Sequence, residues 1–196
     1  PISKELIYIN NTNGFALCSM RSKNRSRYYI QCSSKEKIQN WSDDRFWESL
    51  YENLPINIKN KLQTGPSIEK SIAKLRSYVI EPISYKSIFL AGDAAHIVPP
   101  TGAKGLNLAI NDVNFLYSAF KNYFHKKSEF ELKNYSKNCL LRVWKTQIFS
   151  SWFTNILHTF SGEGVFEKKI KDNILQNLFN SDSEKKQLAN NYLGKY

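Results

Sequence analysis

Two groups of residues in this chain have the types and spacing to hold a ligand. The first is the run Ile88-Phe89-Leu90-Ala91-Gly92-Asp93-Ala94-Ala95-His96-Ile97-Val98-Pro99-Pro100-Thr101-Gly102-Ala103-Lys104-Gly105-Leu106-Asn107. It reads as a buried strand, an acid at the strand's C-terminal tip, a Gly/Pro loop and the start of a helix. A carboxylate at a strand tip, here Asp93, accepts hydrogen bonds from sugar-type hydroxyls. Glycines let the backbone approach a ligand closely, and a helix N-terminus offers unpaired N–H groups with a partial positive charge. Lys104 adds a full charge nearby, so the pocket suits a ligand that becomes anionic. Taken alone, Gly92-Asp93 and Pro99-Pro100 also fit an ordinary turn followed by a rigid connector.

The second group lies near the start of the chain. Ser19 and Arg21 are two apart on one expected strand and so face the same way, and Arg27 and Tyr29 repeat that spacing on the next. With 22–26 as the hairpin loop, a symmetric register sets Arg21 opposite Arg27 and Ser19 opposite Tyr29. Two opposed arginines are unfavourable unless an anion lies near them. The pattern alone favours two solvated arginines on an exposed face, and it also fits a carboxylate site. His96 follows an acid in a loop, but the three histidines (His96, His125 and His158) are far apart and none has H-E-x-x-H or cysteine-rich company. No metal site is expected, and the lack of G-x-S-x-G argues against serine hydrolysis. His96 is read as part of the loop's packing and hydrogen bonding.

The elements that must position these residues follow from the same reading. Residues 6–9, 14–18 and 28–32 are short β-branched or aromatic runs separated by Asn10-Asn11-Thr12-Asn13-Gly14 and by 22–26, an antiparallel meander. A helix starts at Ser42 as N-cap, with Asp43 and Asp44 in its first turn, and Pro55 ends it. A short helix is expected over 56–62, an extended stretch over 67–80 returning to the sheet, and a compact strand over 85–92. Apolar residues recur at helical spacing over 106–124, and from Glu129 the chain reads as helical almost throughout, with Trp144, Phe149, Trp152, Phe153 and Phe160. No G-x-G-x-x-G opens a βαβ unit, so the chain reads as an incomplete enzyme.

The run 88–107 resembles the second flavin-binding motif of the flavin-dependent aromatic hydroxylases. The similarity continues through Phe15-Ala16-Leu17-Cys18-Ser19, 41–47, 69–80 and Asn191-Tyr192, and so covers essentially the whole chain. The resemblance implies an α/β flavoprotein, α+β within this stretch. Residues 1–84 would form part of the substrate-binding domain, 85–108 the flavin-contacting strand, loop and helix start, and 109–196 a helical C-terminal region. The glycine-rich FAD fingerprint and most NADPH contacts would lie upstream of Pro1. The implied substrate residues are Tyr8, Ser19, Arg21, Tyr29 and Pro100, with Tyr8 and Tyr192 as a catalytic proton relay. The implied cofactor residues are Asp93, Lys104, Leu106, Asn107, Arg27 and Arg76, the last linked to NADPH. The implied reaction converts 4-hydroxybenzoate to 3,4-dihydroxybenzoate with FAD, NADPH and O2, in a cytoplasmic homodimer. A sister flavin hydroxylase for another phenolic acid and an inactive truncated remnant are the competing readings.

Composition bounds the alternatives. With 196 residues, 41% hydrophobic and 14% aromatic, the chain can bury a real core in one or two domains. The net charge of +11 invites nucleic acid as a partner, but the lysines are scattered and form no solid basic block, so none is expected. No apolar stretch reaches the length of a membrane span and no basic-then-apolar leader opens the chain, so neither membrane nor secretion is expected. Three cysteines, Cys18, Cys32 and Cys139, are an odd number without metal-like spacing and read as reduced thiols.

Overall fold

A computed structural model describes residues 1–12 and 14–195; Asn13, in the expected first turn, and Tyr196 lie outside the described residues. Contacts divide the chain into two compact units, Pro1–Lys74 with Asn155–Asp172 and Leu75–Thr154 with Asn173–Tyr196. Both mix helix with short antiparallel pairings.

In the first unit the expected meander forms. Strands β1 (Ile7–Asn11), β2 (Gly14–Ser22) and β3 (Arg25–Ile30) make one antiparallel sheet in the order β1-β2-β3. Alternation gives it an apolar face, on which Ile9, Ala16 and Cys18 bury against Leu50 and Leu54, with Tyr28, Ile30 and Trp47 around them. Leu50 belongs to α1 (Asp43–Asn53), which begins as expected: Ser42 accepts a hydrogen bond from the Arg45 amide at 3.1 Å, and Asp43 and Asp44 occupy the first turn. Leu54 is extended before Pro55, and α2 (Ile56–Lys59) stops short of the expected 56–62, the chain continuing in turns closed by Lys61 N–H on Ile58 and Leu62 N–H on Lys59. Ser42→Ala should cost about 1 kcal/mol, because the side-chain oxygen satisfies an otherwise unpaired helix N–H. Urea denaturation would show that as a lowered midpoint with an unchanged slope. Burial pushes the Cys18 thiol up to about 11, which fits a core cysteine rather than a nucleophile.

Two expectations about this unit need correction. The β2–β3 register sets Ser19 opposite Arg27 and Leu17 opposite Tyr29, not Arg21 opposite Arg27 and Ser19 opposite Tyr29. The turn closes on Lys23 and Asn24 alone, with Ser22 paired to Arg25 and the Ser22 hydroxyl bonded to Asn24 Oδ1 at 2.9 Å. Arg21 becomes the extra residue where the register shifts, so the arginines never oppose each other. The second correction concerns 67–80, which does not return to this sheet: only β4 (Tyr78–Val79) is a strand, and it pairs with β7 (His96–Ile97). Side chains tether the earlier part of the segment instead. Ser67 donates to Asp43 from its amide and hydroxyl at 2.9 and 2.7 Å, and the Lys70 ammonium sits 2.7 Å from Asp43. Lys70 first, then the Ser67 N–H and hydroxyl, hold Asp43 down to about 2.

In the second unit the expected 85–92 strand is shorter and divided. β5 (Ser84–Tyr85) pairs with β6 (Ile88–Phe89) around a tight turn in which Lys86 takes a φ of 51°, and the pairing ends with Leu90 N–H on the Ile83 carbonyl at 2.8 Å. Gly92–Ala94 and Pro100–Gly102 are single 3-10 turns on either side of β7. The helices are α3 (Gly105–Lys126), α4 (Phe130–Leu157), α5 (Val165–Asn180) and α6 (Asp182–Leu193). Ile83, Ala95, Tyr135 and Cys139 form one core cluster, and Val98, Leu108 and Val143 another. Among the described residues no helix is long and apolar enough to cross a membrane.

Candidate functional site

The strand tip at residues 90–96 is held by side chains from the helices behind it. Gly92 has a φ of 59°, the left-handed region that glycine enters without steric cost, and a Cβ there would stand 3.2 Å from Ala109 Cβ. Its N–H donates to Asp112 Oδ2 at 3.0 Å. The same oxygen lies 2.7 Å from His96 Nε2, and both of those side chains are 1% exposed. One buried carboxylate on α3 thus fixes both ends of the 92–96 turn, and His96 packs and hydrogen-bonds as the sequence suggested. Two residues back, the Leu90 carbonyl accepts from Tyr135 of α4 at 2.7 Å. Burial, then the Asp112 charge, pushes the Tyr135 phenol upward and the Cys139 thiol up to about 12. Between these anchors Asp93 is exposed, its carbonyl accepting from the Tyr78 hydroxyl. Gly92→Ala should cost about 1–2 kcal/mol for the left-handed backbone, with the Ala109 contact added. Thermal unfolding of the variant reads that loss directly.

Beyond the turn, the Pro-Pro-Thr-Gly loop packs tightly. Thr101 and Thr154 hydroxyls lie 2.7 Å apart, and a Cβ on Gly102 would come within 3.1 Å of Ser150 Oγ. Pro100 is exposed. Lys104, at the N-cap of α3, is buried, its ammonium donating to the Tyr192 carbonyl and lying 5.9 and 5.6 Å from the ring centres of Phe149 and Tyr192. Burial, then Arg142, lowers its pKa. The helix start itself lacks a side-chain cap: a Cβ on Gly105 would meet nothing within 4 Å, and Leu106 and Asn107 are exposed. N–H groups in that first turn have no intrahelical partner, so the helix end is open to a ligand. Tyr192 lies on α6, half-buried, with its ring edge-on to Phe149 and Phe153. Arg76 is exposed outside any strand.

In the first unit the register collects the other candidates on one side of the sheet. Tyr8 pairs with Leu17 and Leu17 with Tyr29, while Ser19 pairs with Arg27. Residues directly opposite in an antiparallel pair share a face, so Tyr8, Ser19, Arg27 and Tyr29 all lie opposite the face that buries Ile9, Ala16 and Cys18. Arg21, displaced by the register shift, still reaches Tyr29, its Nη2 being 3.4 Å from the hydroxyl. Guanidinium, phenol and hydroxyl groups on one face, with Arg21, Arg27 and Tyr29 exposed and Tyr8 and Ser19 half-buried, suit a planar carboxylate.

The structure therefore gathers Tyr8, Ser19, Arg21, Arg27 and Tyr29 in the first unit, and joins Lys104 to Tyr192 in the second. Asp112, Tyr135 and Tyr78 escaped the sequence reading. Asp112 had a signal, being an acid on the helix face otherwise made by Leu108, Phe115, Leu116 and Ala119. A cavity of about 530 Å³ among α4, α5 and α6 is lined by Lys145, Trp152, Leu178 and Gln187, and by none of the expected site residues.

The chain is 53% identical over 194 residues to p-hydroxybenzoate hydroxylase of Acinetobacter baylyi, covering 99% of this chain and 48% of that protein. The chain thus spans about half the length of the hydroxylase it matches. A 25-residue stretch, 13% of the chain, is 76% identical to 5% of a rifampicin monooxygenase of Streptomyces venezuelae. The sequence profile described as "FAD binding domain" matches residues 1–150 of the 196. By that match the chain belongs to the FAD binding domain family of flavoproteins.

Proposed function

We propose that this chain is part of an FAD-dependent monooxygenase that hydroxylates 4-hydroxybenzoate to 3,4-dihydroxybenzoate, using NADPH and O2. The observation that carries the reading is the sheet face presenting Tyr8, Ser19, Arg21 and Tyr29 together, in a chain 53% identical over nearly its full length to a protein named for that substrate. Residues 1–84 act as part of the substrate domain, 85–108 as the flavin-facing segment and 109–196 as the helical region of a cytoplasmic homodimer.

The residues present fit FAD. The left-handed Gly92 turn presents Asp93 to solvent, where its carboxylate can take flavin-side hydroxyls. The uncapped start of α3 offers the N–H groups of Leu106 and Asn107 to an electron-rich edge, with Lys104 just before them. When bound, FAD supplies electron transfer from NADPH and the activation of O2. The chain's own residues bind, orient and deprotonate. Arg21 pairs with the substrate carboxylate, helped by the Ser19 and Tyr29 hydroxyls, and Pro100 lines the ring pocket. Tyr8 accepts the phenolic proton and Tyr192 continues the relay, so the ring becomes a stronger carbon nucleophile ortho to its oxygen. Arg27 contacts the flavin region and Arg76 serves NADPH.

The test uses the longest polypeptide the gene encodes. A flavin spectrum, NADPH oxidation strongly stimulated by 4-hydroxybenzoate, and a dihydroxybenzoate product are expected. Flavin without that stimulation would assign another phenolic acid as substrate, and absence of flavin would overturn the reading. The 196 residues by themselves, which contain no G-x-G-x-x-G, are expected to bind FAD weakly and to be inactive; a tight stoichiometric flavin complex would contradict that.

A further inference from the structure

Resting on the flavin reading above, we infer that Asp112 is the positioning residue of the flavin-facing turn: by taking the Gly92 N–H and the His96 ring N–H on one carboxylate oxygen, it fixes the backbone that aims Asp93. Three observations converge on it. Gly92 occupies the left-handed region beside Ala109, so the turn needs an anchor to hold that conformation against the alternatives open to glycine. Asp112 Oδ2 lies 3.0 Å from the Gly92 amide and 2.7 Å from His96 Nε2, bracketing Asp93 from both sides in the chain. Both partner side chains are 1% exposed, so the carboxylate does not serve solvent or the surface. A buried carboxylate oxygen is costly unless hydrogen bonds reach it, and Oδ2 receives both of its hydrogen bonds from this turn, whereas Oδ1 is buried without a hydrogen-bond partner.

The arrangement also selects a histidine tautomer. Donating to the carboxylate, His96 must carry its proton on Nε2. Tyr135 completes the clamp from α4 by donating to Leu90, so the strand tip is held on both sides of Ala91 before the turn begins. The exposed carboxylate of Asp93 then sits on a backbone whose shape is set by groups that never touch the ligand. A ligand meeting a preset turn loses less in ordering it, which is how a buried residue one layer back raises affinity.

The experiment compares wild type, Asp112→Asn and Asp112→Ala in the longest polypeptide the gene encodes, by residue-resolved amide exchange and by flavin titration. Wild type should show a strongly protected Gly92 amide and an Nε2–H signal for His96. Asp112→Ala should accelerate Gly92 exchange by at least about tenfold while amides in the middle of α3 keep their protection, and should weaken flavin binding by roughly tenfold, the equivalent of one hydrogen bond to a charged group. Asp112→Asn, which keeps an acceptor of the same shape without the charge, should recover part of both losses. It also carries the test should the alanine variant not fold. A general loss of stability would speed exchange throughout the unit and would not single out Gly92. The inference is overturned by Gly92 exchange that changes no more than that of α3, or by wild-type flavin affinity in a folded Asp112→Asn variant with its Gly92 amide unprotected. Failure of the wild type itself to bind flavin would instead count against the flavin reading, while Gly92 exchange would still decide whether Asp112 holds the turn.

Discussion

Arg21→Ala should raise the KM for 4-hydroxybenzoate by about thirtyfold or more and leave the flavin spectrum unchanged. The argument begins with the register shift between Met20 and Ser22, which takes Arg21 out of cross-strand pairing and lets its guanidinium reach the Tyr29 hydroxyl at 3.4 Å. Both side chains are exposed, and among the described residues no ion pair to Arg21 is recorded, so the fork is available to a carboxylate. Truncating one partner of a hydrogen-bonded charge pair that becomes buried in a complex costs about 2–5 kcal/mol, and the lower end is already some thirtyfold in affinity. Arg21→Lys keeps the charge but loses the planar fork, so it should recover only part of the loss. Steady-state NADPH oxidation across a range of substrate concentrations separates the cases. A KM within threefold of wild type in Arg21→Ala would move the carboxylate site elsewhere.

What the sequence disclosed, and what it hid, divides along physical lines. Local chemistry was readable: the Ser42 cap, the β1-β2-β3 meander and the open start of α3 follow from side chains acting on their own neighbouring backbone. The face shared by Ser19 and Tyr29 was readable too, because period-two alternation survives a change of register by two residues, whereas Tyr8 entered only through the family resemblance. The register itself was not, because turn length decides it and Lys23-Asn24 gives no glycine to mark a two-residue turn. Nor was the fate of 67–80 legible. Its β-branched and polar mixture allows extended chain, and only the Asp43 tether and the pairing of Tyr78–Val79 with His96–Ile97 show where it goes. Lys104 was read as a charge for the flavin. Its ammonium is bonded to the Tyr192 carbonyl 88 positions away, a contact that no local pattern encodes. Asp112 belongs to the same class, since its partners at Gly92 and His96 are 20 and 16 residues distant.

Tyr8→Phe should keep flavin binding and change the affinity for 4-hydroxybenzoate modestly, yet slow hydroxylation by roughly a hundredfold or more. Tyr8 sits half-buried on β1, its ring 6.1 Å from that of Phe15, and shares its sheet face with Ser19 and Tyr29. Removing one oxygen leaves the ring's packing in place, so the fold should be retained. What is lost is the hydroxyl proposed to accept the phenolic proton, and positioned proton transfer is worth about 10²–10⁴ in rate. NADPH consumption need not fall in step, because hydride transfer to the flavin neither takes up nor releases the phenolic proton. The reducing equivalents should therefore appear as hydrogen peroxide, and the ratio of dihydroxybenzoate formed to NADPH consumed should drop well below that of wild type. Catalase-coupled oxygen uptake together with product chromatography measures that ratio. Equal coupling in the two proteins would remove Tyr8 from the relay while leaving the carboxylate site untouched. Lost coupling with unchanged KM would separate the residue that moves the proton from those, Arg21 and Ser19, that hold the acid.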